Sequence, residues 1–350
     1  MEIKILQENL IKPLGILNHI VTTKPSLPIL SSILLKAENK TVILQATDLN
    51  ISLDLQIKAE IKEEGKITLP ARSFLEFISS LSPQNLNISE KEGKVFVKGE
   101  EAQASFVTMG SEEFPKFPEI DEESKFMLKK ETLGFLIRKT AFAAAADEGR
   151  PVLTGVLLKN EEGKLGMVAT DGFRLSEALS TEGTPNKEFG SLIIPSKALV
   201  EVERLIGETE EEVTLSKTLD QNQVVFQFGP PINGLLFARL LEAEYPDYKR
   251  IIPDSFSLTA KVNSEHLISA VKTAAIFARG NGQTLRLFFD PQKNEILISA
   301  KTAEVGEGLA KVSAEIDGKG IEVGFNAKFL LDGVSSISVE QTQIQIKEEV

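Results

Sequence analysis

The chain of 350 residues contains no cysteine and only two histidines, His19 and His266. Without thiols, neither a disulfide framework nor a thiolate zinc site can form, which fits a reducing compartment. Two histidines are too few for a metal cluster with the usual ligand spacing. The sequence therefore predicts a protein without a bound metal and without a cofactor.

Signals for membranes and for catalysis are also absent from the sequence. No run of about 18 apolar residues is present, and the N-terminal MEIKILQENL lacks the features of a signal peptide, so we expect a cytoplasmic protein with no membrane partner. The glycine strings at Gly280–Gly282 and Gly306–Gly308 lack the context of a phosphate-binding loop. No serine stands in a G-x-S-x-G elbow. We predict no catalytic residues and no enzyme activity.

The chain has no excess of positive charge. Its formal net charge is −12 with a pI near 5.0, which at face value argues against a nucleic-acid partner. The charge is segregated, however, because the predicted helices hold nine basic and seven acidic residues. Either one shared surface is basic, or these are ordinary solvated helix faces. The helices are predicted at 8–21, 71–81, 131–146, 196–206, 264–279 and 327–336.

What the sequence does contain is a threefold internal repeat. The string ATDLNISL at Ala46–Leu53 returns as ATDGFRLS at Ala169–Ser176, 123 positions later. A helix start recurs as PARSFL, PSKALV and NAKFLL, with a basic third residue each time. This period is too long for a solenoid unit and indicates a repeated domain. Asp48 and Asp171 occupy equivalent places in two repeats. We therefore interpret them as turn residues and not as a carboxylate pair for acid–base chemistry.

Each repeat alternates helices with several β-branched segments, which predicts an α+β domain with helices on one face of antiparallel sheets. Proline-containing segments at Glu112–Ile120 and Tyr245–Pro253 read as linkers. The predicted domains are residues 1–122, 123–252 and 253–350. The first repeat continues for about 39 residues after its second helix and the third for 14, so the third domain is predicted to be C-terminally incomplete.

Three arginine-containing strings of the second repeat combine positive charge with apolar and proline residues. If they converge, they form a shallow groove suited to a short peptide with hydrophobic anchors and an acidic or polar flank. Alternatively, Leu153, Leu175 and Ile251 are simply core residues. The arginines at the rim of such a groove are Arg150, Arg174 and Arg250.

Several strings of the sequence resemble one family along the whole chain, the bacterial DNA polymerase III β subunits, which are replication sliding clamps. The resemblance implies three DNA-clamp domains per chain and a head-to-tail homodimer that closes into a ring around duplex DNA. The matching strings are LPIL (Leu27–Leu30), ATDLNISL, LPAR (Leu69–Arg72), EEFPKFPEI, ATDGFRLS, YPDYKRIIP and GFN (Gly324–Asn326).

The resemblance further implies a non-catalytic processivity factor in DNA replication that contacts DNA without sequence preference. The implied partners are duplex DNA, a second copy of the chain, the polymerase III catalytic subunit, an ATP-driven clamp loader, and other replication and repair proteins with a clamp-binding motif. The implied location is cytoplasmic, on the nucleoid. Positions that approach DNA in the family carry over to Lys24, Arg72 and Lys197. Helix position adds Arg138, Lys139, Lys272 and Lys328.

Partner proteins of the family dock a short hydrophobic peptide. The pocket residues carry over to Leu153, Thr170, Gly172, Phe173, Arg174, Leu175, Pro246, Arg250 and Ile251, with Arg150 nearby. The sequence departs from the family twice: Phe173 stands where many members have histidine, and the apolar tail that completes the pocket is missing.

The family's protomer interface would pair the strand around Phe106 with Ile276 and Phe277 of the third repeat, although Phe106 also alternates correctly for the core of its own sheet. The alternative function is a peptide-binding scaffold that does not encircle DNA, which applies if the chain is monomeric.

Overall fold

The computed structural model describes residues 1–22, 25–147, 149–161, 163–180, 190–210, 212–279, 282–302 and 306–347. The chain divides into two compact units. The first unit holds Met1–Asp171 and Glu177–Ala243, and the second holds Gly172–Ser176 and the chain from Glu244 onward. No helix among the described residues is long and apolar enough to cross a membrane.

The first repeat contains nine strands and two helices within the described residues. They are β1 (Glu2–Leu6), α1 (Glu8–Asn18), β2 (Ser32–Glu38), β3 (Thr41–Thr47), β4 (Ile51–Ile57), β5 (Glu60–Glu63), β6 (Gly65–Pro70), α2 (Ala71–Ser80), β7 (Asn85–Lys91), β8 (Lys94–Lys98) and β9 (Gln103–Val107). Strands β5-β1-β7-β8-β9 form a sheet in that order, with β9 at one edge.

The second repeat follows the same plan. Its elements are β10 (Ile120–Leu128), α3 (Lys130–Thr140), β11 (Gly155–Glu161), β12 (Lys164–Thr170), β13 (Leu175–Leu179), β14 (Leu192–Pro195), α4 (Ser196–Ile206), β15 (Val213–Thr218), β16 (Gln223–Phe228) and β17 (Gly234–Arg239). Strands β13-β12-β11-β14 form a four-stranded antiparallel sheet.

An eight-stranded sheet joins the two repeats in the order β10-β15-β16-β17-β4-β3-β2-β6. The junction is the antiparallel pair β17–β4, in which Leu236 stands opposite Leu53. Both leucines are almost completely buried. The two repeats therefore share one hydrogen-bonded sheet and one hydrophobic core.

Four helices cover this core in the first unit. Each repeat pairs its own two helices, α1 with α2 and α3 with α4. Across the junction, Arg204 Nη1 of α4 lies 2.9 Å from His19 Nδ1 at the end of α1, and Lys12 pairs with Glu208. The helices thus follow the order α2-α1-α4-α3. Each presents an apolar stripe inward, as α1 does with Leu10, Leu14 and Leu17.

The second unit contains the third repeat. Its elements are β18 (Leu258–Asn263), α5 (Ser264–Ala275), β19 (Thr284–Asp290), β20 (Glu295–Thr302), β21 (Gly306–Gly318), β22 (Ile321–Asn326), α6 (Ala327–Ile337) and β23 (Gln341–Ile346). The strand order is β22-β19-β20-β21-β18-β23. The long β21 pairs with β20 along its first part and with β18 along its second.

One strand, β23, follows α6 in the described part of the second unit, where the first repeat has β7, β8 and β9 after α2. The boundaries predicted at 122 and 252 stay predictions; residue 122 lies inside β10.

Three predicted helices end at least three residues earlier than expected. The helix predicted at 8–21 ends at Asn18. The alanine-rich helix predicted at 131–146 ends at Thr140 and continues as a 3-10 turn, Ala141–Ala143. The main chain leaves the helix because the Ala145 N–H donates to the Leu153 carbonyl at 2.8 Å. Likewise the helix predicted at 264–279 ends at Ala275, before another 3-10 turn.

Candidate functional site

In each repeat, the second position of the second helix holds a basic residue. These residues are Arg72 in α2, Lys197 in α4 and Lys328 in α6. None of these helices has an acidic residue in its first turn. A cation there opposes the helix dipole, which favours anions at the N-terminus. The helix dipole therefore does not account for these side chains, whereas an external phosphate would satisfy both the dipole and the charge.

The other basic residues predicted to face DNA differ in this respect. Arg138 and Lys139 lie in the last turn of α3, and Lys272 lies in the last turn of α5. Cations are favoured at a helix C-terminus, so the dipole alone explains their positions. Lys24, the remaining residue of this set, lies outside the described residues.

Several of these cations are already paired. Arg72 Nε lies 3.0 Å from Glu76 Oε1, and Arg138 Nη1 lies 3.6 Å from Glu203 Oε1. Such exposed pairs add little stability and exchange easily for another anion. Lys197 is exposed and has no ion pair within the described part of the chain. It is therefore the most available cation of the helix layer in the first unit.

Lys139 has a different environment. Its Nζ lies 5.5 Å from the centroid of the Phe135 ring. Burial, together with the charge of Arg138, lowers the pKa of Lys139 below its ordinary value. The side chain of Lys139 is only partly exposed.

The predicted peptide-pocket residues of the first unit differ in exposure. Leu153 and Thr170 are buried. Arg150 is exposed, and its Nη2 donates to the Asp171 carbonyl at 2.9 Å. Beside Leu153 lies a cleft of about 330 Å³ whose lining includes Pro151 and Val152.

The predicted pocket residues of the second unit are largely exposed. Phe173 and Ile251 are 83% and 67% exposed, which is unusual for large apolar side chains. Leu175 and Pro246 are half-buried and exposed, respectively. Gly172 has φ +90°, a conformation that favours glycine, and it begins the turn that presents Phe173.

The two arginines of the second unit have different surroundings. Arg250 Nε lies 2.6 Å from Asp247 Oδ2 in a largely exposed pair. Arg174 is mostly buried: its Nη1 lies 2.7 Å from Asp332 Oδ2, and its Cζ lies 4.5 Å from the centroid of the Phe329 ring. Neither Phe329 nor Asp332 was predicted, because no local pattern indicates a partner in another repeat; Asp332 is 158 positions away from Arg174.

The three predicted interface residues lie beside free strand edges. Phe106 on the edge strand β9 is half-buried and packs edge-to-face on Phe74 and Phe77, with ring centroids 5.7 and 6.0 Å apart. In the second unit, Ile276 is 49% exposed. Phe277 packs so closely on Gly308 of β21 that a Cβ at that glycine would lie 2.2 Å from its ring.

Asp48 has the turn role that the repeat comparison predicts. Its Oδ1 accepts hydrogen bonds from the backbone N–H groups of Asn50 (2.9 Å) and Ile51 (2.7 Å). This is an Asx turn, which leads the chain from β3 into β4. Among the described residues, no group of three or more His, Asp or Glu side chains is arranged to hold a metal ion.

Comparisons with known proteins decide the family. Family models for the N-terminal, central and C-terminal domains of the DNA polymerase III beta subunit match residues 1–118, 127–247 and 249–350. The chain belongs to the DNA polymerase III beta subunit family. This family consists of non-catalytic sliding clamps, so the predictions of family, of function and of no enzyme activity are confirmed.

Individual relatives agree with this result. The chain is 31% identical to the beta sliding clamp of Chlamydia muridarum, over 97% of this chain and 90% of that protein. It is 30% identical to that of Synechococcus elongatus, over 99% and 92%. The crystal structure of the DNA polymerase III subunit beta from Pseudomonas aeruginosa matches with a TM-score of 0.91 at 29% identity, covering 99% of this chain and 93% of that one. The predicted clamp fold is confirmed.

Proposed function

We propose that this DNA sliding clamp closes into a ring through two strand edges, β9 of one copy and the first part of β21 of another. The observation that carries this proposal is the β17–β4 pair inside the first unit. Strand β17 ends the three-strand run that follows the second helix of its repeat, and β9 ends the corresponding run of the first repeat. Strand β4 precedes the second helix, and β21 has the corresponding place in the third repeat.

The internal junction thus serves as a template for a junction between copies. A contact between two different surfaces, repeated head to tail, closes into a ring when the rotation permits. Phe106 lies on β9, and the 3-10 turn that contains Ile276 and Phe277 packs on β21, which supports the choice of these two edges. Pairing the two edges would also satisfy backbone groups that otherwise invite aggregation.

DNA contacts in this proposal are weak and come from the helix layers. Arg72, Lys197 and Lys328 contribute most, because each lies at a helix N-terminus, where the helix dipole also favours a bound phosphate. Lys24, Arg138, Lys139 and Lys272 remain part of the proposed surface. A net charge of −12 disfavours a tight one-sided grip at physiological salt, whereas a closed ring needs no strong contact. We also assign the protein to the nucleoid, where its DNA lies.

Client peptides bind, in this proposal, through the exposed apolar and arginine residues of the second unit. Phe173 and Ile251 receive hydrophobic anchors, and Arg174 and Arg250 attract an acidic or polar flank. Gly172, Leu175 and Pro246 shape the surface. Leu153, Thr170 and Arg150 of the first unit stay predicted pocket residues from the sequence.

The ring proposal is tested by light scattering over a concentration series, with the variant Ile276→Lys. We expect a dimer for the natural chain and a monomer for this variant, because a buried lysine at the junction would have no partner. Val200→Lys, at another exposed apolar position on α4, is the matched control and should stay dimeric. A natural chain that is monomeric at every concentration would favour the scaffold alternative.

A further inference from the structure

The feature that carries a further inference is the carboxylate of Asp332 on α6. One oxygen, Oδ2, accepts from Arg174 Nη1 and from Lys328 Nζ, each at 2.7 Å. The side chains of Arg174 and Asp332 are only 16% and 27% exposed. Burial raises the pKa of Asp332, but hydrogen bonds from Lys328 and Arg174 outweigh it and hold the pKa below its ordinary value.

Phe329 forms the second half of the environment of Arg174. The guanidinium carbon lies 4.5 Å from the ring centroid, a distance that allows a cation–π contact. Phe329 and Asp332 are three positions apart on α6, so both lie on one helix face. Arg174 is therefore held by a stacking surface and by an anion at its end.

The first turn of α6 is itself fixed. Asn326 Oδ1 accepts from the backbone N–H groups of Lys328 (2.9 Å) and Phe329 (3.2 Å). Asn326 Nδ2 donates to the Gly282 carbonyl at 3.2 Å. A capped helix start keeps the Phe329 and Asp332 side chains in a constant place.

We infer that Asp332 is a positioning residue, which holds Arg174 in one rotamer so that its guanidinium is directed at the acidic or polar flank of a bound peptide. The inference rests on the proposed peptide-binding function of the second unit. Arginine loses much rotamer freedom when it binds an anion, and a side chain that is already ordered loses less. Lys328 shares the carboxylate from an exposed position, so its removal leaves Arg174 in place.

The test measures peptide affinity by fluorescence anisotropy. One probe is a labelled pentapeptide with two leucines and a phenylalanine as anchors and one aspartate; the other has asparagine in place of the aspartate. The proteins are the full chain and the variants Arg174→Ala, Asp332→Asn, Asp332→Ala, Lys328→Met and the double variant Arg174→Ala/Asp332→Ala. Asp332→Asn keeps the size of the side chain, so it remains informative if Asp332→Ala is poorly folded.

We expect the natural chain to prefer the aspartate peptide, and Arg174→Ala to bind it about tenfold more weakly. Asp332→Asn and Asp332→Ala should lose at least about fivefold in affinity and should no longer distinguish the two peptides, measured at a temperature where circular dichroism shows both variants folded. The double variant should bind no more weakly than Arg174→Ala, because both changes remove one interaction. Lys328→Met should change affinity less than twofold, about the resolution of the measurement.

Two results overturn the inference while leaving the peptide site intact. In one, Arg174→Ala weakens binding but Asp332→Asn and Asp332→Ala do not. In the other, Asp332→Asn binds the aspartate peptide more tightly, which means that Asp332 competes with the peptide for Arg174. If the natural chain binds neither probe, the proposed peptide site itself is wrong and the inference fails with it.

Discussion

At the scale of single residues, Asp48 is a carboxylate with a structural role. Its place in the repeat predicted a turn rather than catalysis, and the structure shows that turn. The Asx turn at Asp48 needs an oxygen acceptor but no charge. We therefore expect Asp48→Ala to lower the free energy of unfolding by about 1 kcal/mol, the usual worth of a hydrogen bond. Asp48→Asn should be nearly neutral. Urea denaturation distinguishes the two, and equal losses for both variants would contradict the turn role.

Asp54 on β4 predicts a pH dependence of stability. Burial raises the pKa of Asp54, and the 2.6 Å hydrogen bond from Gln45 Nε2 and the charge of Lys36 oppose this only in part. The folded state thus holds its proton to higher pH than the unfolded state does. The resulting stability is greatest below the unfolded pKa and decreases as pH rises through the folded pKa.

Asp54→Asn removes this titration, so the variant should gain stability relative to the natural chain as the pH rises above about 4, the unfolded value for aspartate. Urea denaturation midpoints of both proteins are measured from about pH 4 to pH 8. The difference between the two proteins reports on Asp54 alone, because all other carboxyl groups are the same in both. A difference that does not change over this interval would contradict the raised pKa.

Some properties of single residues could not be predicted from the sequence. Leu153 and Ile251 have the same chemical character in the sequence, and one is buried while the other is 67% exposed. Charge patterns identified Arg174, but its partner Asp332 lies in another repeat. Tertiary burial and long-range pairs depend on the packing of distant segments, which local patterns do not encode.

At the scale of elements, the β17–β4 junction depends on a close approach at Gly234. A Cβ at this residue would lie 2.5 Å from Leu55 Cδ2 and 2.8 Å from the Asp54 carbonyl oxygen. We expect Gly234→Val to cost at least about 2 kcal/mol of unfolding free energy, because the strands must separate to admit the side chain. Gly15→Ala in α1, where nothing lies within 4 Å, should instead stabilise the fold by about 0.5–1 kcal/mol.

Both free energies come from urea or thermal denaturation of the full chain. If Gly234→Val unfolded like the natural chain, the junction between repeats one and two would not have the tight geometry described above. The β17–β4 junction could then no longer serve as the template for the proposed junction between copies.

The helix N-termini lead to a prediction with two opposite effects. Lys197→Ala should weaken binding to a short DNA duplex at low salt and reduce the slope of log affinity against log salt by about 1. The same change should stabilise the protein by about 0.3–1 kcal/mol, since it removes a cation from a helix N-terminus. Lys94→Ala, at an exposed position on β8, is the control and should alter neither quantity.

Anisotropy of a labelled duplex and thermal denaturation measure the two effects. An unchanged salt slope for Lys197→Ala would contradict its proposed contact with phosphate. A loss of stability would show that Lys197 has a structural role.

Periodicity predicted the elements well where the pattern is local. The bounds of α4 agree with the predicted 196–206, since a proline-led helix start is a property of neighbouring residues. The predicted ends of α3 and α5 were wrong. Alanine is an excellent helix former, so the local pattern continues, whereas α3 is ended by a tertiary hydrogen bond from Ala145 to Leu153. The pairing of β17 with β4 has no local signal either.

At the scale of the whole molecule, the three repeats, and the sheet that the first two repeats share, explain how an acidic chain can act as a sliding clamp on DNA. The first two repeats already share a sheet and a row of four helices. In the proposed ring, the same kind of junction between copies would extend both features around the DNA. Weak phosphate contacts then suffice, because topology rather than affinity retains the protein on DNA.

The central claim, topological binding, is tested most directly by retention on circular and linear DNA. The clamp is loaded by its clamp loader with ATP onto a nicked circular plasmid and separated from free protein by gel filtration at about 0.15 M salt. Half of the sample is then cut once with a restriction enzyme. The account predicts that the clamp stays on the circle and is lost from the linear DNA. Equal retention on both, or equal loss from both, would contradict it.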